Sequence, residues 1–156
     1  MGRKPAAPLQ QTARAIRGRR AAYVLDDQIG FILRQAYQRN SVLFGELFSD
    51  ELTPTQWAAI AKLSEVGPSS QNHLGRLIAM DAATVKGVVD RLMKRGLVES
   101  AASATDRRRL LVSLTASGRK AFDQGLARAF EVSTKTLTPL KSAEQAVLLR
   151  LLKRIG

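Results

Sequence analysis

Apolar residues recur at helical spacing through most of the chain, interrupted by a single stretch of period two. From Asp26 onward, Ile29, Leu33, Ala36, Tyr37 and Phe44 fall on one stripe, which predicts a long helix over about 26–48 with that stripe buried. Asp26 and Asp27 read as its start, because anionic side chains suit the free N–H groups there. A second helix opens at Thr53-Pro54-Thr55-Gln56, a capping box with proline at the first helical position, and stops at Gly67-Pro68. A short third follows Ser69-Ser70 and carries Leu74, Leu77 and Ile78. Asp81 then caps a fourth, Ala82 to Arg95, whose inner face is Val85, Val88, Val89 and Leu92 and whose end is marked by Gly96. There the period drops to two. Leu97–Ser100 and Leu110–Leu114 read as short strands joined by a polar tip, Ala104-Thr105-Asp106-Arg107-Arg108-Arg109. Thr115 caps a further helix with Phe122, Leu126, Ala129 and Phe130, and Ser142-Ala143-Glu144-Gln145 reads as a capping box opening a last one with Val147, Leu148, Leu151 and Leu152. No internal repeat is visible. The expected class is mainly α with a small β-hairpin.

Length and composition narrow the function. The 156 residues suit one domain with a real core. No apolar run approaches the roughly 18 residues of a membrane span, and the basic N-terminus lacks the apolar stretch of a secretory signal, so the cytoplasm is the expected location. The absence of cysteine removes disulfides, thiolate metal sites and thiol redox switches, and the single histidine, His73, has no neighbour with which to bind a transition metal. No metal and no cofactor are expected.

Charge is more informative. Twenty-five Lys and Arg against thirteen Asp and Glu leave +12, with an isoelectric point near 11.1. Such a field attracts polyanions, nucleic acid first among them, although an anionic membrane surface, a ribosomal contact or simple solubility would also suit it. Six of the basic residues and none of the acids lie in Met1–Ala22, so half of the excess sits in an N-terminal arm ahead of a single domain over 23–156. This arm reads equally as a solubilising tail or a phosphate-contacting extension.

Two short helices followed by a basic hairpin form a winged helix-turn-helix, spanning about 53–115. A major groove about 12 Å wide admits one helix, whose N-terminal half must offer small or hydrogen-bonding side chains to the base edges. Ala82, Ala83, Thr84, Lys86 and Gly87 meet that requirement, and Arg91 lies one turn further on; Ser70 and Gln71 begin the preceding helix. An ordinary surface helix would also tolerate these residues. The hairpin tips the balance, because Arg107, Arg108 and Arg109 repel one another unless phosphates or a negative minor groove lie beside them. Asp106 is expected to hold the Arg108 guanidinium in a bidentate pair.

The ordered set Leu52-Thr53-Pro54-Thr55-Gln56-Trp57, Asp81 to Leu92 with Lys94-Arg95-Gly96-Leu97-Val98, and Asp106-Arg107-Arg108-Arg109 leading to Val112-Ser113-Leu114-Thr115-x-x-Gly118 resembles the MarR family of bacterial regulators. The resemblance runs from about Asp26 to Ile155. It implies a homodimer built from helices at about 26–48 and 116–155, placing Leu126, Phe130, Leu137, Val147, Leu148 and Leu151 against their symmetry mates. It also implies that Ala82–Arg95 is the recognition helix, that Arg108 oriented by Asp106 is the wing arginine, and that the partner is a pseudo-palindromic operator in double-stranded DNA.

The same resemblance implies a small effector that alters the spacing of the two recognition helices. Segments around Arg34 and Asp81–Thr84 are similar to family members governing aromatic-acid catabolism, some sensing the free acid and some its coenzyme A thioester. Arg34, Tyr37, Gln38, Trp57 and His73 are the candidate contacts: an arginine pairs a carboxylate, and Tyr37 and Trp57 stack an aryl ring. Trp57 and Tyr37 also sit at core spacing, and a lone histidine near a helix start often serves structure alone. No phosphate-cradling glycine loop or nucleophile–base set is present, so no enzyme is expected. The expected function is a ligand-responsive repressor released from its operator by a small aromatic acid or its thioester; the competing reading is a non-specific architectural nucleic-acid-binding protein.

Overall fold

The computed structural model describes residues 23–49, 51–106 and 108–156. The arm over 1–22 and Arg107 therefore lie outside the described residues. The chain divides into two compact units between Tyr37 and Gln38, and each is described by itself.

In the first unit, Leu25–Asp27 forms a 3-10 turn and helix α1 (Ile29–Phe48) begins after it. Asp26 and Asp27 therefore do not start the helix. Gln28, with extended backbone (φ −86°, ψ 127°), separates them from it, and its side-chain amide donates to the Val24 carbonyl at 2.9 Å. The stripe expected to be buried is largely open: Ile29 and Tyr37 are about 60% exposed (62% and 61%), and Leu33 and Ala36 are also exposed. Periodicity marks which face of a helix is apolar; it does not say what covers that face.

The second unit contains the rest of α1, then α2 (Pro54–Val66), α3 (Gln71–Leu77), α4 (Ala82–Lys94), β1 (Val98–Ala102), β2 (Leu110–Leu114), α5 (Ala116–Leu137) and α6 (Ser142–Ile155). α2 starts where its local chemistry directs. Thr53 Oγ1 accepts the Gln56 N–H at 3.2 Å while Gln56 Oε1 accepts the Thr53 N–H at 3.1 Å, so two otherwise free donors are satisfied. α3 and α4 approach closely because Gly75 has no side chain; a Cβ there would lie 3.0 Å from the Met80 carbonyl oxygen and 3.1 Å from Val85 Cγ1. Val85, Val88, Val89 and Leu92 of α4 are buried with Ile60, Leu63, Leu74, Val98, Val112 and Leu114 in one apolar core. Gly96, at φ +67°, turns the chain out of α4 in a conformation that other residues adopt only with strain.

β1 and β2 pair antiparallel from Val98↔Leu114 to Ala102↔Leu110. β1 thus runs two residues beyond the Leu97–Ser100 expectation, because the ladder of β2 carries Ala101 and Ala102 despite their weak strand preference. Ser69 adds a bridge to Val112 through two backbone bonds of 3.0 and 2.8 Å, fastening the turn before α3 to the hairpin. Thr115 caps α5, accepting from the Gly118 N–H at 3.0 Å and donating to the Gly96 carbonyl at 2.7 Å. Gly118 is required there, since any Cβ would collide with the Leu97 carbonyl. α6 is capped one residue earlier than the Ser142 box predicts. Lys141 is its N-cap and Glu144 Oε2 accepts the Lys141 N–H at 2.7 Å. Gln145 instead ties down the preceding turn through the Leu137 and Leu140 carbonyls.

Candidate nucleic-acid interface

Asp81 organises the start of α4. Its Oδ1 accepts the Thr84 N–H and its Oδ2 accepts the Thr84 hydroxyl, both at 2.8 Å. These two donors, the backbone one first, hold the Asp81 carboxyl below the ordinary carboxylate value. The cap aligns the helix so that its valine face is buried and Ala82, Ala83, Thr84, Lys86 and Arg91 are exposed, with Gly87 half-buried among them. Thr84 differs from expectation in one respect: its hydroxyl proton is committed to Asp81, leaving only lone pairs to offer outward. Lys86 Nζ pairs with Asp90 Oδ2 at 2.6 Å. Arg91 sends its guanidinium back over Gly87, where a Cβ would sit 3.4 Å from Nη1. Ser70 caps α3, its hydroxyl accepting the His73 N–H at 3.4 Å, and Gln71 is half-buried at the first helical position.

At the hairpin tip, the expected carboxylate–guanidinium pair is replaced by a backbone contact. Asp106 Oδ1 accepts the Arg108 N–H at 3.0 Å, and the Asp106 carbonyl accepts the Arg109 N–H at 2.9 Å. In a tight turn the amide two residues on is the nearest donor, whereas an ion pair with an exposed guanidinium gains little in water. Asp106 therefore shapes the loop that presents Arg108 and Arg109, and both side chains are exposed.

The effector candidates fall on both units. Arg34 and Tyr37, on the first, are exposed; Gln38, on the second, is exposed as well. Trp57 is part of the packing. Its ring stacks on Phe122 (centroids 5.5 Å apart), tilts against Phe48 (5.2 Å), and occupies the space that a Cβ on Gly125 would need. His73 is exposed on α3, with Nδ1 3.5 Å from Arg76 Nη2.

Several contacts had no counterpart among the residues singled out from sequence. Asp90 is one, although its spacing four residues after Lys86 is a readable signal. Glu51 is another. Its carboxylate meets Arg128 at 2.9 Å, its carbonyl accepts from Arg95, and Arg128 lies over the Phe48 ring. No local pattern announces that cluster. On α5 and α6, Leu126, Phe130, Val147 and Leu151 are exposed and Leu137 and Leu148 half-buried. Among the described residues there is no group of three metal-ligating side chains, and no helix is long and apolar enough to cross a membrane.

Known proteins share this arrangement. Residues 50–109 match the MarR family model. The transcriptional repressor NicR of Pseudomonas putida is 36% identical over 134 residues, 85% of each chain. A solved probable transcriptional regulator from Pseudomonas aeruginosa is 57% identical, with a TM-score of 0.80 over 85% of this chain and all of that one. Bordetella bronchiseptica BpsR, whose DNA binding is regulated by 6-hydroxynicotinic acid, is 32% identical with a TM-score of 0.81 over 85% of this chain and 96% of its own. With its helix pair, its hairpin and relatives matched along most of their length, this chain belongs to the MarR family of transcriptional regulators.

Proposed function

We propose that the protein acts as a homodimeric, ligand-responsive repressor whose two α4 helices enter successive major grooves of a pseudo-palindromic operator. The observation that carries this reading is the exposed face of α4: small residues and cations, Ala82, Ala83, Thr84, Lys86 and Arg91, held outward by a capped helix whose other face is buried. Ser70 and Gln71 at the start of α3 approach the backbone. Arg108 and Arg109, together with Arg107, grip the adjacent minor groove from a turn shaped by Asp106. A two-fold dimer presents its recognition helices about 34 Å apart, so a small rotation loses one half-site. The exposed apolar residues of α5 and α6 supply the dimer surface.

The effector in this reading is a small aromatic carboxylate or its coenzyme A thioester. BpsR responds to an acid of this class and NicR is a repressor, which supports both the ligand class and the sign of regulation. Arg34 and Tyr37, three residues apart on α1 and both exposed, offer a carboxylate partner and a stacking ring. Gln38, Trp57 and His73, on the second unit, are the further candidates by residue type, two of them exposed and Trp57 packed against Phe122. Arg108→Ala and Lys86→Ala test the interface against a duplex selected from a randomised pool. The first should weaken binding and the second relax base preference. Equal affinity for selected and random duplexes would refute specific recognition. Calorimetry with 6-hydroxynicotinate, hydroxybenzoates and their thioesters tests the effector, and silence from all of them would refute it.

A further inference from the structure

We propose that Asp90 is a specificity-determining residue. It pairs the Lys86 ammonium on the exposed face of α4, so the helix offers random DNA one cation fewer than its sequence contains. The inference rests on α4 entering the major groove.

The pair spans 2.6 Å, and its two side chains are 65% and 47% exposed, so it lies on the open face of α4, the face that the proposed reading sets against DNA. Helix stability gains little from it. The cation is N-terminal and the anion C-terminal, against the helix dipole, which is the less favourable order for a pair four residues apart. A carboxylate on this face also meets phosphate with repulsion. These two disadvantages make sense if the pair discriminates between duplexes.

A row of phosphates presents only acceptors. When Lys86 binds one, its partner carboxylate is drawn up to the polyanion, where Asp90 has no further donor to accept from and is repelled. Base edges differ. Guanine O6 and N7 accept from an ammonium, and the cytosine N4 amino group donates to a carboxylate. A G·C-containing step therefore satisfies both ends of the pair, whereas backbone contact satisfies one and strands the other. Neighbouring Arg91, laid over Gly87, remains available for phosphate, so the helix keeps an unspecific anchor while Lys86 is reserved for base readout.

The isosteric substitution Asp90→Asn removes the carboxylate charge and frees Lys86 without changing the shape of the helix. The full chain is titrated with a random-sequence duplex and with a duplex that the wild type selects from a randomised pool, each over a range of salt. Asp90→Asn should bind the random duplex roughly tenfold tighter, with a log–log salt slope steeper by about 1, the mark of one added phosphate contact. Its preference for the selected duplex should fall. Asp90→Ala, which favours the helix, should shift both quantities in the same direction, and the gain should vanish in Lys86→Met/Asp90→Asn. Random-duplex affinity within about twofold of wild type and an unchanged slope would overturn the proposal, as would a gain that persists without Lys86. A wild type that selects no duplex at all would overturn the DNA-binding reading itself, before any variant is measured.

Discussion

α4 and α6 are 13 and 14 residues long, and each presents an apolar stripe opposite a charged face. In α4 the stripe, Val85, Val88, Val89 and Leu92, is buried against α2, α3 and the hairpin. In α6 no residue is buried, and Val147, Leu149 and Leu151 keep almost half of their surface in water. The two helices read alike in sequence because amphipathicity encodes a surface that must be covered and not its cover. α4 finds its cover within the chain, and its outward polar face is thereby fixed. α6 has a face still to be matched, which is where the proposed second copy belongs.

The largest effect should come from breaking the buried side of this comparison. Leu92→Ala removes a fully buried side chain and should lower unfolding stability by about 2–5 kcal/mol, read from urea denaturation. Leu151→Asp changes the open side. It should leave secondary structure intact but weaken self-association by about 2–3 kcal/mol, read as monomer in sedimentation equilibrium at concentrations where the wild type is paired. A wild type that sediments as a monomer at every concentration would refute the dimer.

The two basic elements sharpen the contrast further. α4 is anchored by a whole buried face, whereas the described hairpin tip is held by short-range turn bonds, among them those from the Arg108 and Arg109 amides to Asp106. Arg108→Ala should cost about 1–3 kcal/mol in DNA affinity by fluorescence anisotropy while leaving the melting temperature unchanged. The smallest effect belongs to Asp81→Ala, which removes the cap of α4. Because the folded-state carboxyl is held below its ordinary value of 3.8, its stabilisation is fully present above that value and is lost as pH falls through the lower folded-state value. The melting-temperature difference between wild type and Asp81→Ala should therefore be constant near neutrality and shrink only in acid. A difference that stays the same at low pH would show that the charge of Asp81 plays no part.

Much of the fold was legible because its signals are local. Thr53 and Gln56 cap each other across three residues, Asp81 caps Thr84 at the same spacing, and Gly96 supplies the left-handed turn after α4. Where two local solutions compete, sequence reading chose the wrong one. Ser142 had a plausible partner in Gln145, yet Glu144 reached Lys141 and Gln145 took two carbonyls of the preceding turn. Asp106 had arginines beside it and bonded to an amide instead. Trp57 suited a ligand pocket by type and the core by spacing, and its contacts with Phe122, Phe48 and the bare backbone of Gly125 show it in the packing.

The sequence by itself determined the order of helices and strands, the caps that start most of them, the apolar face of each, and the placement of small residues and cations along α4. Those depend on spacings of two to four residues, which a chain carries in its own letters. The tertiary structure decided which apolar faces are covered and which stay open, which atom Asp106 addresses, and how Glu51 joins Arg128 and Arg95. These outcomes bring together groups tens of residues apart or choose among nearly equal local partners, and only the packing of the whole core selects between them.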